Sequence, residues 1–214
     1  MSDLYTRKLK YLDPFQPNVP PWMAKIKTHG IKRKVPIVDD DMGIFLKMVC
    51  SIQKPLTILE IGCGISYSTH WMLLGSTNSK IVALDSNADR LGECKAYLIE
   101  SGYSDRVELK HCLAEDYFLS NPPVFDLIFQ DSMKKGYSGM IDQCYQHLKV
   151  GGLLIADNIF FNNKVLGLTE DQKKKYAKGV AALEDFTNKI SRHPGFECSF
   201  FPLSDGILVA KRII

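Results

Sequence analysis

Thr57-Ile58-Leu59-Glu60-Ile61-Gly62-Cys63-Gly64-Ile65-Ser66-Tyr67-Ser68 is the stretch whose reading decides the fold. Its first five residues form an apolar run with one acid, Glu60, which reads as a buried parallel strand. Gly62 and Gly64 follow at once, and helical spacing takes over through Trp71 to Leu74. Strand, glycine turn and helix make the opening unit of a doubly wound nucleotide-binding domain. Glycines there let the backbone approach a ligand, and the helix start offers unpaired N–H groups. The turn is not a dinucleotide fingerprint: Tyr67 stands at the third glycine of GxGxxG, where bulk opposes close helix–strand packing. No P-loop pattern is present. An acid two residues before the first glycine, without a pyrophosphate cradle, suits a cationic nucleoside such as S-adenosylmethionine. The plainer alternative is a tight strand–helix turn with no ligand.

Outward from that unit, strands and helices alternate. Residues 1–21 carry four prolines and read as a helix followed by an irregular segment. Trp22 to His29 reads as a short helix closed by Gly30. Val35 to Val38 is extended, because the residue before Pro36 disfavours helix. Asp39 is placed to cap a helix whose buried face is Met42, Phe45, Leu46, Val49 and Ile52. Beyond the opening unit, a second strand ends at Asp85 and a polar helix stops at Gly102. A third strand covers Arg106 to His111, and a fourth ends at Asp131. A helix running to Leu148 and closed by Gly151-Gly152 leads to a fifth strand ending at Asp157 and Asn158. Thr169 caps a long helix to about Arg192, and Phe196–Phe201 with Ile207–Arg212 bracket a hairpin turn.

The 214 residues suit one α/β domain with an ample core. No run approaches the length of a membrane helix, and the N-terminus has no apolar signal core. Six scattered cysteines without a CxxC pair argue against structural zinc and for a reducing cytoplasm. Residues 1–38 hold eight Lys or Arg against two Asp, while the rest of the chain carries a net −3. Five of those basic residues fall between Lys25 and Lys34, so a basic arm of residues 1–34 precedes the domain of residues 35–214. Such an arm suits a polyanion, or is simply a solvated segment.

Chemistry gathers at the strand ends. Parallel strands present their C-termini on one edge, where ligands bind. The Gly62 loop, Asp85, Asp131, and Asp157 with Asn158 all fall there. Each acid alone also suits a helix cap. Asp85 is placed to accept ribose hydroxyls. Asp131, Asp157 and Asn158 offer oxygen donors only, which favours Mg²⁺ and disfavours zinc. Lys134, three residues past Asp131, overhangs the same place, or is a solvated loop lysine like Lys135.

With those residues in view, the chain resembles class I S-adenosylmethionine-dependent methyltransferases. More narrowly, it resembles the cation-dependent O-methyltransferases that include catechol and caffeoyl-CoA enzymes. The motifs are Leu59 to Ser68, Asp131-Ser132-Met133-Lys134, Ala156-Asp157-Asn158, and Pro202-Leu203-Ser204-Asp205-Gly206. Val35 to Val38 and His193 to Phe196 are most similar to the bacterial tRNA 5-hydroxyuridine methyltransferase branch. The resemblance implies a three-layer, seven-stranded, mostly parallel Rossmann-like sheet with helices on both faces and a C-terminal antiparallel hairpin, assembled as a homodimer. It implies cofactor contacts from Val38, Glu60, Gly62, Gly64, Ser68, Asp85, Leu113, Ala114, Glu115 and Asp131. Asp131, Asp157 and Asn158 would hold the metal, and Lys134 with Asp131 would be catalytic. The acceptor would be the 5-hydroxyl of a modified wobble uridine in tRNA, with a small catechol-like or caffeoyl-CoA-like molecule as the alternative. A cofactor-binding module without catalysis is the reading from a different class. Two departures border the cofactor: Ser66 stands where the family has a third glycine, and Cys112-Leu113 replaces Gly-Asp.

Overall fold

The computed structural model describes residues 3–214. Five strands alternate with helices in the expected order: β1 (Thr57–Ile61), β2 (Lys80–Asp85), β3 (Val107–His111), β4 (Phe125–Gln130) and β5 (Leu148–Ala156). They are parallel, and their spatial order is β3-β2-β1-β4-β5. β6 (Phe196–Phe201) and β7 (Ile207–Arg212) complete a seven-stranded sheet, with β7 antiparallel between β5 and β6. This is the three-layer Rossmann-like arrangement that the resemblance implies. The order reverses between β1 and β4, and a ligand crevice opens at such a switch point.

The helices are α1 (Asp3–Leu12), α2 (Pro21–Arg33), α3 (Asp40–Gln53), α4 (Tyr67–Gly75), α5 (Ala88–Ser101), α6 (Ala114–Leu119), α7 (Ile141–Gln146) and α8 (Glu170–Ser191). Side-chain alternation along β1 splits the core in two. Ile58 packs with Met23, Ile26, Met42, Leu46 and Trp71 on one face. Leu59 and Ile61 pack with Phe118, Cys144, Leu183 and Phe186 on the other. Burial on both faces explains why these strands read as continuous apolar runs.

Some expected boundaries move, each for a local reason. α2 passes through Gly30 and ends at Lys34, which takes the left-handed conformation at φ 55°. Gly30 is a packing position instead: a Cβ there would lie 3.0 Å from Ile37. α2 buries Met23 and Ile26 in the main core, so the arm's second half belongs to the packed body; residues 1 and 2 of that arm fall outside the described residues. The buried stripe of α3 runs Met42, Leu46, Cys50, with Gly43 admitting the Trp71 indole, and Ile52 is exposed. Asp39 precedes α3, yet its side chain caps nothing and instead accepts from Ser204. The helix expected to reach Leu148 stops at Gln146, and Gly151-Gly152 lies inside β5. Gly151 sits there at φ 82° where the β4–β5 register shifts. The cap at Thr169 forms as expected, with Gln172 completing a capping box.

α3 and α4 meet backbone to backbone at Gly75, where a Cβ would lie 2.2 Å from the Lys47 carbonyl oxygen. Backbone cannot step aside as a side chain does. Gly75→Ala should therefore cost about 2 kcal/mol as the helices separate, read by urea unfolding; an unchanged midpoint and slope would refute this contact as a packing constraint.

Candidate active site

The register levels the strand ends. Ile61 pairs with Leu84 and Gln130, and Gln130 pairs with Ala156. Gly62, Asp85, Asp131 and Asp157 therefore leave four adjacent strands side by side. Backbone bonds lace the exits together: Gly62 and Cys63 N–H reach Leu84 O at 2.9 and 3.0 Å, Asp131 N–H reaches Ile61 O at 2.9 Å, and Asp157 N–H reaches Gln130 O at 3.1 Å.

Gly62 is fixed by sterics twice over. Its φ is +96°, and a Cβ would stand 2.1 Å from the Asp131 carbonyl oxygen. Gly64, at φ +52°, donates its N–H to Asp85 Oδ2 at 2.9 Å, and Asn87 N–H donates to Asp85 Oδ1 at 2.8 Å. Two backbone donors thus orient the Asp85 carboxylate at the open edge, each oxygen keeping a further lone pair for a ligand. Val35 to Val38 lies over the glycine turn: a Cβ on Gly64 would be 3.6 Å from Pro36 O. Leu113, Ala114 and Glu115 open α6 just beyond β3, on the Asp85 side.

Glu60 lies behind the turn rather than on the edge. It is fully buried, and Ser68 and Thr69 hydroxyls each donate to one of its oxygens. Burial favours the neutral acid and the two donors favour the carboxylate. Burial prevails, aided by the charges of Asp131 and Asp85, and the pKa is pushed up to about 7. Glu60 thereby anchors the first turn of α4 under the cofactor position.

The reacting corner is built on β4 and β5. Lys134 is mostly buried, not a solvated loop lysine. Its ammonium reaches Tyr137 Oη at 2.7 Å, Asp131 Oδ1 at 3.3 Å and Asp157 O at 3.3 Å. Tyr137 is fully buried and its hydroxyl reaches Gln130 O and Asp157 O. Burial first, then Asp131 and Asp157, hold the Tyr137 hydroxyl well above its ordinary pKa. Asp157 is buried; Oδ1 accepts Asn158 N–H at 2.7 Å, and Oδ2 has no hydrogen-bond partner. Burial and the neighbouring Asp131 charge push its pKa up to about 8. An orphaned, buried carboxylate oxygen beside a second carboxylate and the Asn158 amide fits a hard divalent cation. Among the described residues no cluster of three or more His, Cys, Asp or Glu side chains is placed to hold a metal, and this set has only two acids.

Tyr137 and Asp205 escape the sequence reading. Tyr137 follows Lys134 by three residues, a spacing that carries a signal only once Lys134 is known to be inward. Asp205 sits within the Pro202–Gly206 motif and has the outward marks of a hairpin turn. In the fold its carboxylate accepts Asn162 N–H at 2.6 Å and feels the charge of Lys134.

The arm's charge is partly neutralised by the body. Lys25 pairs with Glu100 at 2.6 Å, Lys27 with Asp40, and Arg33 with Glu93. Lys32 and Lys34 are exposed beside them. Among the described residues no helix is long and apolar enough to cross a membrane.

A Rossmann-like sheet with a glycine cradle, a ribose-level acid and an inward lysine beside two strand-end acids defines a methyltransferase-type domain. A family model described as O-methyltransferase matches residues 18–213. The chain belongs to that family. Curated relatives include caffeoyl-CoA O-methyltransferase 1 of Eucalyptus globulus, 27% identical over 81% of this chain and 73% of that one. Another is caffeoyl-CoA O-methyltransferase 5 of Nicotiana tabacum, 27% identical over 81% and 75%. Among solved structures, the S-adenosylhomocysteine-bound methyltransferase PaMTH1 of Podospora anserina superposes with a TM-score of 0.90 at 22% identity, covering 100% of this chain and 97% of that one. An O-methyltransferase of Bacillus cereus gives 0.83 at 22%, covering 95% and 96%.

Burial holds the Glu60 carboxyl at about 7 in the fold, against about 4.5 in an unfolded chain. Between those values the folded state binds more protons, so its contribution to stability falls as pH rises through that window. Glu60→Gln should remove this falling limb. Its stability relative to wild type should shift in its favour by up to about 3 kcal/mol between pH 4.5 and 7.5, read by urea unfolding; a difference independent of pH would refute the buried acid.

Proposed function

We propose that the protein is an S-adenosylmethionine-dependent O-methyltransferase whose acceptor is a small molecule with a catechol-like or caffeoyl-CoA-like hydroxyl, working with a divalent cation, most simply Mg²⁺. The observation that carries it is the corner where Lys134 meets Asp131 and Asp157 beside the Gly62 cradle. Bound at the Gly62 turn and Asp85, S-adenosylmethionine would supply a methyl on sulfonium, open to in-line attack. A cation held by Asp131, Asp157 and Asn158 would lower the acceptor hydroxyl's pKa and orient it.

The chain's own residues do the rest. Gly62 and Gly64 bring backbone up to the cofactor, and Asp85 takes ribose hydroxyls. Val38 and the Leu113–Glu115 segment flank it. Lys134 has an acceptor for each of its three N–H donors, which holds it as an ammonium whose charge would stabilise the acceptor oxyanion through space. Acting as base would require breaking that set. Alignment of nucleophile and methyl supplies much of the acceleration.

The acceptor choice follows from charge. Lys25, Lys27 and Arg33 face carboxylates of the body, which leaves less of the arm for a polyanion. The caffeoyl-CoA O-methyltransferases among the relatives support the same choice. A tRNA wobble-uridine hydroxyl is the second reading, favoured by the exposed Lys32, Arg33 and Lys34 beside the Val35–Val38 entry. We also propose a homodimer, to be read by sedimentation.

With S-adenosylmethionine, Mg²⁺ and either caffeoyl-CoA or catechol, the protein should form S-adenosylhomocysteine and lose turnover in chelator. Lys134→Ala should lower kcat by about 100-fold and leave cofactor affinity unchanged. Methylation of hydroxyuridine-containing tRNA with none of either small acceptor would transfer the assignment to the second reading. Undiminished turnover by Lys134→Ala would remove the lysine from the mechanism.

A further inference from the structure

α1 reaches the segments that flank the site through the Tyr5 side chain. The Tyr5 hydroxyl donates to Asp41 Oδ2 and accepts the Ser204 N–H at 2.8 Å. Ser204 Oγ in turn donates to Asp39 Oδ2 at 2.8 Å. These residues come from three separate pieces of chain: α1, the entry to α3, and the turn between β6 and β7.

The last two pieces border opposite halves of the site. Asp39 directly follows Val38, in the segment lying over the Gly64 turn. Ser204 directly precedes Asp205, which stands within electrostatic reach of Lys134 and Asp157. Asp205 also grips the loop after β5 through Asn162 N–H, and Gly206 O accepts Ile159 N–H at 3.0 Å. A joint at Tyr5 therefore spans from the cofactor side to the reacting side.

The β6–β7 turn and the loop after β5 that it holds both carry left-handed backbone. Ser204 has φ 50°, and Phe161, Asn162 and Asn163 follow one another at 52°, 52° and 61°. Such left-handed backbone persists where surrounding contacts over-determine it. The hydroxyl itself stays protonated: burial first, then the bond to Asp41, push its pKa up to about 12.

We propose that Tyr5 is a positioning residue for the methyl acceptor: its hydroxyl clamps the β6–β7 turn, which carries Asp205, to the entry of α3. This rests on the O-methyl transfer reading. It gives the N-terminal segment a role in acceptor fit rather than in charge.

Tyr5→Phe keeps the ring and removes both bonds. In the full-length protein with Mg²⁺ and saturating S-adenosylmethionine, KM for caffeoyl-CoA and catechol should rise about fivefold, the equivalent of one lost hydrogen bond. kcat and S-adenosylmethionine affinity should hold. A merely structural loosening would lower kcat and cofactor affinity as well, so that pattern, like an unchanged KM, overturns the proposal. Amide exchange of the S-adenosylhomocysteine-bound protein is the second measurement. The Ser204 N–H should exchange faster in Tyr5→Phe, together with residues 159–163 and not residues 57–68. If wild type methylates neither acceptor, the transfer reading to small molecules falls, and exchange alone decides: unchanged rates at 159–163 and 203–206 overturn the clamp, and acceleration confined to them upholds it.

Discussion

The exit of β1 presses against the exit of β4 with no room between them. At Gly62 a single methyl group would collide with the Asp131 carbonyl. That contact brings the cofactor turn and the reacting corner within one small region, because Asp131 opens the loop carrying Lys134. The Asp131 N–H bond back to Ile61 O closes the same joint from the other direction. Everything catalytic then follows from neighbours: β2 brings Asp85 to one side, and β5 brings Asp157 and Asn158 to the other. Without a side-chain-free residue at position 62, the register of the sheet would still level the strand ends, but they would stand apart.

Burial gives the acids on and behind this edge different characters. Asp85 keeps two backbone donors, whereas Glu60 sits in the core with two hydroxyls, and Asp157 is buried with one oxygen unmatched. The contrast is between an acid held by backbone N–H groups, an acid held by hydroxyls and an acid with one oxygen unpartnered. Lys134 reaches the backbone carbonyl of Asp157 rather than its carboxylate.

β1, β2 and β4 are legible in sequence because burial on both faces leaves long apolar runs that end in polar residues. The edge positions Gly62, Asp85, Asp131 and Asp157 follow from those ends by topology alone. Glu60 is legible as an acid near the turn, but not as a buried one, since its partners Ser68 and Thr69 lie on the next element. α7 is misread because Gly151-Gly152 looks like a helix stop; pairing of Leu148 with Phe125 draws those glycines into a strand. The basic run from Lys25 to Lys34 looks free in sequence because its partners Glu93 and Glu100 are some 60 to 75 positions away. Short-range patterns survive into the structure; roles set by distant chain do not.

Ser66 shows how narrow one position has become. It sits buried at φ 74°, in the turn between β1 and α4, while its carbonyl accepts from the His70 ring at 2.7 Å. Left-handed backbone costs an ordinary residue roughly 1–2 kcal/mol, with asparagine and aspartate the mildest cases. A buried site also rejects bulk and unpaired charge. Random change at this codon therefore has few tolerated exits, glycine foremost, and a lineage that keeps serine here carries a small conformational debt from one generation to the next.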